Sequence, residues 1–210
     1  MAQFIEYVYT ESEASFSTHT EYLTTPILEM LSKSKNKKIL DLGCGNGWLV
    51  DFLIKQGYDI YGTDVTPSGI ALAKQKHPDR FFIIDTSATE LPKEFKNIPF
   101  DTILSIEVIE HLYDPRSYLK LCKTILQQGN QHGELIISTP YHGYLKNLVM
   151  AITGKLDAHF SVLWDGGHIK FWSEKTLTTV LKEFDFQFQE FKGCGRLPYL
   201  WKSMLVKAIV

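Results

Sequence analysis

The sequence predicts an α/β fold built on a mostly parallel sheet. From Lys38 onward, short β-type runs alternate with stretches of helical periodicity, the order expected of strand–helix–strand units. The fourth such run is apolar at successive positions, as suits a strand covered on both faces. A turn with three glycines opens directly after the first run, where open sheets of this kind leave their ligand crevice.

The first strand is "KILDLG". The helix after it, "NGWLVDFLIKQG", places Trp48, Leu49, Phe52 and Leu53 inward and ends at Gly57. "YDIYGTDV" is the second strand, and Thr66 as cap with Pro67 at the first helical position opens a helix that ends before Pro78. "RFFIID" is the third strand and "PFDTILSIE" the fourth, with Ile103, Leu104 and Ile106 buried. Asp114 and Pro115 start a helix that runs through Leu126 and stops near Gly129. "GELIISTP" is the fifth strand. Ser173 caps a helix to about Phe184, and "FQFQEF" and "SMLVKAIV" are spaced to pair as a terminal hairpin. Two pieces fall outside the alternation: residues 1–36, read as a helical flank or lid, and residues 141–167, a long insertion before the last helix. Connections of that length are often functional.

At 210 residues the chain most simply forms a single domain, 1–210. It carries 22 Lys plus Arg against 24 Asp plus Glu with no long run of one sign, which argues against nucleic acid as a partner. Cys44, Cys122 and Cys194 are far apart and lack Cys-x-x-Cys spacing, so no disulfide framework or zinc knuckle is expected. The acidic start "MAQFIEYVYTESEASF" is unlike a signal peptide, and no apolar run approaches a membrane span. A soluble, cytoplasmic protein is expected, with no pattern that sets its oligomeric state.

The glycine turn narrows the ligand. A dinucleotide fingerprint needs Gly-x-Gly-x-x-Gly, but the last slot is Trp48 counted from Gly43 and Val50 counted from Gly45. A phosphate-binding loop needs Gly-Lys-Ser or Gly-Lys-Thr, whereas Trp48 follows Gly47. What remains is Asp41-x-Gly43-x-Gly45-x-Gly47, an acidic residue beside a flat, glycine-lined turn, which suits a cationic ligand with a sugar.

"ILDLGCGNGWL" resembles the first motif of class I S-adenosylmethionine-dependent methyltransferases, and the resemblance covers most of the chain in the expected order. It implies a Rossmann-like seven-stranded sheet, mostly parallel, with an antiparallel C-terminal hairpin and helices on both faces. S-adenosylmethionine, with its sulfonium and ammonium, would lie along Asp41, Gly43 and Gly45. Asp64, ending "IYGTDV", would hold the two ribose hydroxyls. "IIDTSATELP" resembles the adenine-contacting segment and offers Asp85, Ser87 and Ala88, with Asp85 and Ser87 alternative partners of the adenine amino group. Ile106 and Glu107 would face the methionine part.

"SIEVIEHLYDP", with "STPYHGYLKNLVMAITGKL" and "GGHIKFWS", is similar to the ubiquinone-biosynthesis O-methyltransferase branch. That similarity makes Glu107, Glu110 and His111 a candidate Mg²⁺ or Mn²⁺ cluster, or a general-base cluster. Their spacing would gather them on one side of a helical turn. The plainer alternative leaves Glu107 near the cofactor, Glu110 at the helix start and His111 in packing. A phenolic acceptor ionises near ~10, so a base or a cation would assist it. His168, after Gly166 and Gly167, is one further candidate base, with loop closure by hydrogen bonding as its alternative role. His142, just past the fifth strand, is another. His19 is assigned to the flank, and His77, His132 and His159 to loops without a role.

In the insertion, Tyr144, Leu145, Leu148, Val149, Ile152 and Leu156 recur at helical spacing. Such a stripe reads first as packing, and otherwise as peripheral membrane contact through 144–156 or an entrance for an apolar substrate. Tyr199, Leu200 and Trp201 either wall the substrate pocket or pack on the hairpin. The expected function is methyl transfer from S-adenosylmethionine to a small apolar or phenolic acceptor, at oxygen. The alternatives are a cofactor-binding protein without turnover, a methyltransferase acting on RNA or protein, and an NAD-dependent oxidoreductase, which the failed glycine spacing opposes.

Overall fold

The computed structural model describes residues 8–9, 21–31, 38–84, 95, 98–129, 133–160, 163 and 166–210. A short helix α1 (Thr24–Leu31) leads into β1 (Lys38–Leu42), α2 (Trp48–Lys55), β2 (Asp59–Asp64), α3 (Pro67–Lys76) and β3 (Phe81–Ile83). Then follow β4 (Thr102–Ile106), α4 (Pro115–Gly129) and β5 (Glu134–Pro140). Two insertion helices, α5 (Tyr144–Ile152) and α6 (Leu156–Phe160), precede α7 (Glu174–Glu183), β6 (Gln187–Cys194) and β7 (Ser203–Ile209).

The strands form one seven-stranded sheet in the order β3-β2-β1-β4-β5-β7-β6. The pairs from β3 through β5 are parallel, while β7 runs antiparallel to both β5 and β6. This is the expected Rossmann-like sheet with its terminal hairpin. Nearly every residue of β1, β4 and β5 is buried, because helices cover both faces and a central parallel strand has no solvent side.

One core, around Tyr118, Phe95, Phe100 and Leu126, lies under α4 and α7. The other joins Leu23, Ile27 and Met30 of the N-terminal flank to Leu49, Leu53, Ile60 and Ile70. Each such side chain withdrawn from water contributes roughly 1.5–3 kcal/mol. Tyr118 does more than fill space: its hydroxyl is hydrogen-bonded to the Leu42 carbonyl at 3.0 Å and to Ser105 Oγ at 2.8 Å. It therefore pins the end of β1, from which the glycine turn springs, to β4.

Local signals behave as their chemistry requires at the starts of α4 and α7. Asp114 accepts from the Arg116 and Ser117 amides, and Ser173 and Thr176 form a reciprocal capping box. Thr66 differs. It stands at the N-cap of α3, but its hydroxyl donates to Asp64 Oδ1 at 2.6 Å instead of capping the helix. Strand β3 is also shorter than "RFFIID", and β6 runs beyond "FQFQEF" through Gly193 and Cys194. Among the described residues no helix is long and apolar enough to cross a membrane.

Parallel strands deliver their carboxyl ends to one edge: the glycine turn from β1, Asp64 from β2, Glu107 after β4, and Tyr141 and His142 after β5. Antiparallel β7 starts at that same edge, with Ser203 opposite Pro140.

Candidate active site

Gly43, Gly45 and Gly47 all have left-handed backbone, with φ of 97°, 55° and 75°. A Cβ on Gly43 would lie 2.5 Å from Val108 Cγ2, so the turn can pass under the β4 exit only without a side chain. The Gly43 and Cys44 amides both donate to the Thr63 carbonyl at 2.8 Å. The Gly45 amide donates to Asp64 Oδ2 at 2.8 Å, and Asp64 Oδ1 accepts from the Thr66 amide at 2.9 Å. Asp64 thus fastens the turn to the start of α3. Tyr9 crosses the same turn: its amide donates to Ser68 Oγ at 3.2 Å, and its hydroxyl lies where a Gly45 Cβ would project.

Asp41 is 2% exposed, and its Oδ1 has no hydrogen-bond partner among the described residues. Burial, reinforced by the charge of Asp64, raises its carboxyl to about 8. A buried carboxyl oxygen without a partner, beside a glycine cradle, is what an ammonium donor would satisfy, so these residues fit S-adenosylmethionine. The adenine candidates Asp85, Ser87 and Ala88, and His19 of the flank, lie outside the described residues.

Past β4 the expected single cluster divides. Glu107 has φ of 55°, a left-handed conformation rare for a residue with a side chain and typical of strained functional positions. The helical turn begins only after it, at Ile109–His111. The Glu107 carboxylate instead enters a hydroxyl network. Ser138 Oγ donates to its Oε1 at 2.8 Å, Ser203 Oγ to its Oε2 at 3.2 Å, and Tyr22 is bonded to Ser203 at 2.6 Å. Burial raises the Glu107 carboxyl against the lowering effect of these hydroxyls. Ile106 ends β4, partly buried.

Glu110 and His111 instead meet His168. The Ile169 and Lys170 amides donate to the Glu110 carbonyl at 2.9 and 3.0 Å, docking the end of the insertion on the β4 exit. The His111 and His168 rings then meet edge to face at 4.9 Å. One ligand atom from each of Glu110, His111 and His168 lies within 4.8 Å of the others. Glu110 is fully buried, and neither of its carboxylate oxygens has a hydrogen-bond partner among the described residues. Burial, then the charge of Glu107, holds its carboxyl well above the ordinary range. Burial lowers His111, and it lowers His168 to about 4 with the help of neighbouring histidines and Lys146.

His142 is buried in a ring cluster, stacked on Phe160 at 6.2 Å, edge-on to Phe171 at 5.1 Å and tilted against His159 at 5.1 Å. Its Nε2 and that of His159 lack partners among the described residues, and burial lowers His142 to about 4. No spacing or motif singles out His159, which lies on α6 and reaches the cluster through its ring contact with His142. Ser138 and Ser203 are polar residues that the sheet brings together, and Tyr22 joins them from the N-terminal flank. The stripe on α5 is open rather than packed: Tyr144 and Ile152 are 83% and 76% exposed. Trp201 packs on Tyr141 at 5.0 Å and on Phe191 at 5.6 Å, while Tyr199 is exposed.

Residues 16–190 match the family model described as a methyltransferase domain. The chain belongs to that family. It is a class I S-adenosylmethionine-dependent methyltransferase. Among curated relatives it is similar to ubiquinone biosynthesis O-methyltransferases: 29% identical over 175 residues to that of Cereibacter sphaeroides strain ATCC 17025, covering 80% of this chain and 67% of the relative. The Bradyrhizobium diazoefficiens protein is 32% identical over 172 residues, covering 80% and 65%. This methyltransferase thus spans about two thirds of the length of those relatives. Solved structures show the same fold. Magnesium protoporphyrin IX methyltransferase from Synechocystis, with bound S-adenosylhomocysteine, superimposes with a TM-score of 0.61 at 18% identity, over 88% of this chain and 78% of that one. The methyltransferase domain of bacterial CtHen1 gives 0.65 at 23%, over 91% and 99%.

Proposed function

We propose that this methyltransferase transfers the methyl group of S-adenosylmethionine to an oxygen of a small phenolic acceptor with apolar character, aided by a divalent cation. The observation that carries the reading is the Glu110, His111 and His168 cluster, whose ligand atoms lie within 4.8 Å of one another at the mouth of the cofactor cleft. The names of the relatives support oxygen as the acceptor atom.

The residues present fit a cation. Among the described residues neither Glu110 carboxylate oxygen has a hydrogen-bond partner, the lowered imidazoles of His111 and His168 are neutral, and a bound cation would displace the proton that burial holds on Glu110. A mixed nitrogen and oxygen set suits Mn²⁺ or Zn²⁺ better than Mg²⁺, which favours oxygen and water. Such an ion, when bound, would lower the pKa of an acceptor hydroxyl and fix its direction. Glu107 belongs to its serine network rather than to the ligand set.

The chain's own residues supply alignment. The glycine turn and Asp41 hold the methionine end while Asp64 takes the ribose. The oxygen then displaces sulfur in line: the O–CH₃ bond forms as the S–CH₃ bond breaks, and its electron pair leaves on S-adenosylhomocysteine. Of the candidate bases, His142 and His168 hold a proton too weakly to match neutral pH, and burial lowers His111 as well. Glu107, raised by burial, is better suited to accept the acceptor's proton. The open apolar face of α5 supports entry of an apolar acceptor from that side, including from a lipid surface.

The test is incubation with methyl-labelled S-adenosylmethionine and an extract of the source cells. Label in lipid-soluble small molecules, released as a methyl ether, is expected. Label confined to RNA or protein would replace the acceptor class.

A further inference from the structure

Lys146 is a buried charge that methyl transfer as described leaves without a task. It is 3% exposed, although it shares α5 with Tyr144 and Ile152, which face solvent. The helix turns a lysine inward and apolar side chains outward, the reverse of an ordinary surface helix. Its ammonium donates to the Lys202 carbonyl at 3.2 Å, which leaves two of its three N–H donors. Among the described residues no carboxylate is ion-paired with it.

The bonding pattern locates this charge. Lys202, which holds the ammonium, directly precedes Ser203, which holds Glu107. The ammonium therefore lies on the Glu107 side of the site, and its field reaches Glu107, His142, His159 and His168. Burial, then the charges of Arg196 and Lys202, lowers it to about 8, with Glu107 opposing, so the cation still predominates at neutral pH. Lys202 itself sits over the Tyr22 ring at 4.5 Å. A desolvated cation with unfilled donors is stabilised by an anionic oxygen more than by any neutral group.

We propose that Lys146 receives an anionic oxygen of the methyl acceptor, and so selects acceptors that carry a carboxylate on the ring or ionise at a phenol. This rests on the small-acceptor reading above. The two sources of the oxyanion share one chemistry and separate in the test.

Protein loaded with S-adenosylhomocysteine is titrated calorimetrically with 3,4-dihydroxybenzoate and with catechol, as wild type, Lys146→Met and Lys146→Arg. If a ring carboxylate is read, wild type binds the benzoate at least tenfold more tightly than catechol; Lys146→Met abolishes the preference and Lys146→Arg restores part of it. If an ionised phenol is read, both probes bind alike, both weaken at least tenfold in Lys146→Met, and binding releases a proton. Binding of both probes within twofold in all three proteins overturns the proposal, as does no binding of either to wild type. The S-adenosylhomocysteine affinity of each variant is measured first. Its failure in wild type would strike the methyltransferase reading itself, whereas its retention with unresponsive probes strikes Lys146 alone.

Discussion

The His111 and His168 rings meet edge to face with centroids 4.9 Å apart, although one follows β4 and the other closes the insertion. Their meeting is secured by backbone, through the bonds from Ile169 and Lys170 to the Glu110 carbonyl. His168→Ala should therefore leave the fold intact while weakening Mn²⁺ binding by at least ~10-fold, the scale on which even outer ligand-orienting groups act. Metal titration followed by a thermal melt checks this. Unchanged Mn²⁺ affinity would remove His168 from the ligand set.

Asp64 ties the turn to α3 through Gly45 and Thr66. Asp64→Ala should weaken S-adenosylhomocysteine binding by roughly 10- to 100-fold, since hydrogen bonds to a charged group contribute about 1.5–3 kcal/mol. Asp64→Asn should lose less. Affinity within twofold of wild type in Asp64→Ala would show that the carboxylate does not touch the ribose.

Asp41 makes a prediction in pH. Its folded carboxyl, at about 8, lies above the ordinary value near ~3.9, so the fold binds its proton more tightly than the unfolded chain does. This contribution favours the ligand-free fold at low pH, is lost progressively as pH rises from about 4 to about 8, and is flat beyond. A bound cation reverses the preference. At about pH 6.5, where the cofactor's own amine is already protonated, S-adenosylmethionine binding should release close to one proton. Calorimetry in buffers of differing ionisation enthalpy reads that number directly. Asp41→Asn should abolish the release and flatten the pH slope of stability.

Gly43→Ala should cost about 1–3 kcal/mol, because φ of 97° and the approach to Val108 both exclude a side chain. Val108→Ala in the same chain should recover the steric part only. Denaturant melts of the two single variants and the double variant form the cycle. Full additivity would mean that the contact with Val108 is not what constrains the turn.

What could be read from the sequence was what is local. The glycine turn, the doubly buried β4 and the caps at Asp114 and Ser173 depend on neighbours a few positions away, and they stand where spacing puts them. Spacing misled at Glu107, because a left-handed residue ahead of the helical turn sends its side chain to Ser138 and Ser203 instead of Glu110. It misled on α5 too, where the apolar stripe is open and Lys146 is buried. Ser203 reaches the site only because antiparallel β7 starts where β5 ends, and His159 only through the packing of α6. Such long-range placement leaves no periodic trace in the chain.

The most direct measurement of the central claim uses protein stripped with EDTA, methyl-labelled S-adenosylmethionine and a dihydroxybenzene acceptor, with and without added Mn²⁺. The account predicts label in an O-methyl ether only when the cation is restored, and little in His168→Ala under the same conditions. Full transfer by the stripped protein, or label on carbon or nitrogen, would contradict it.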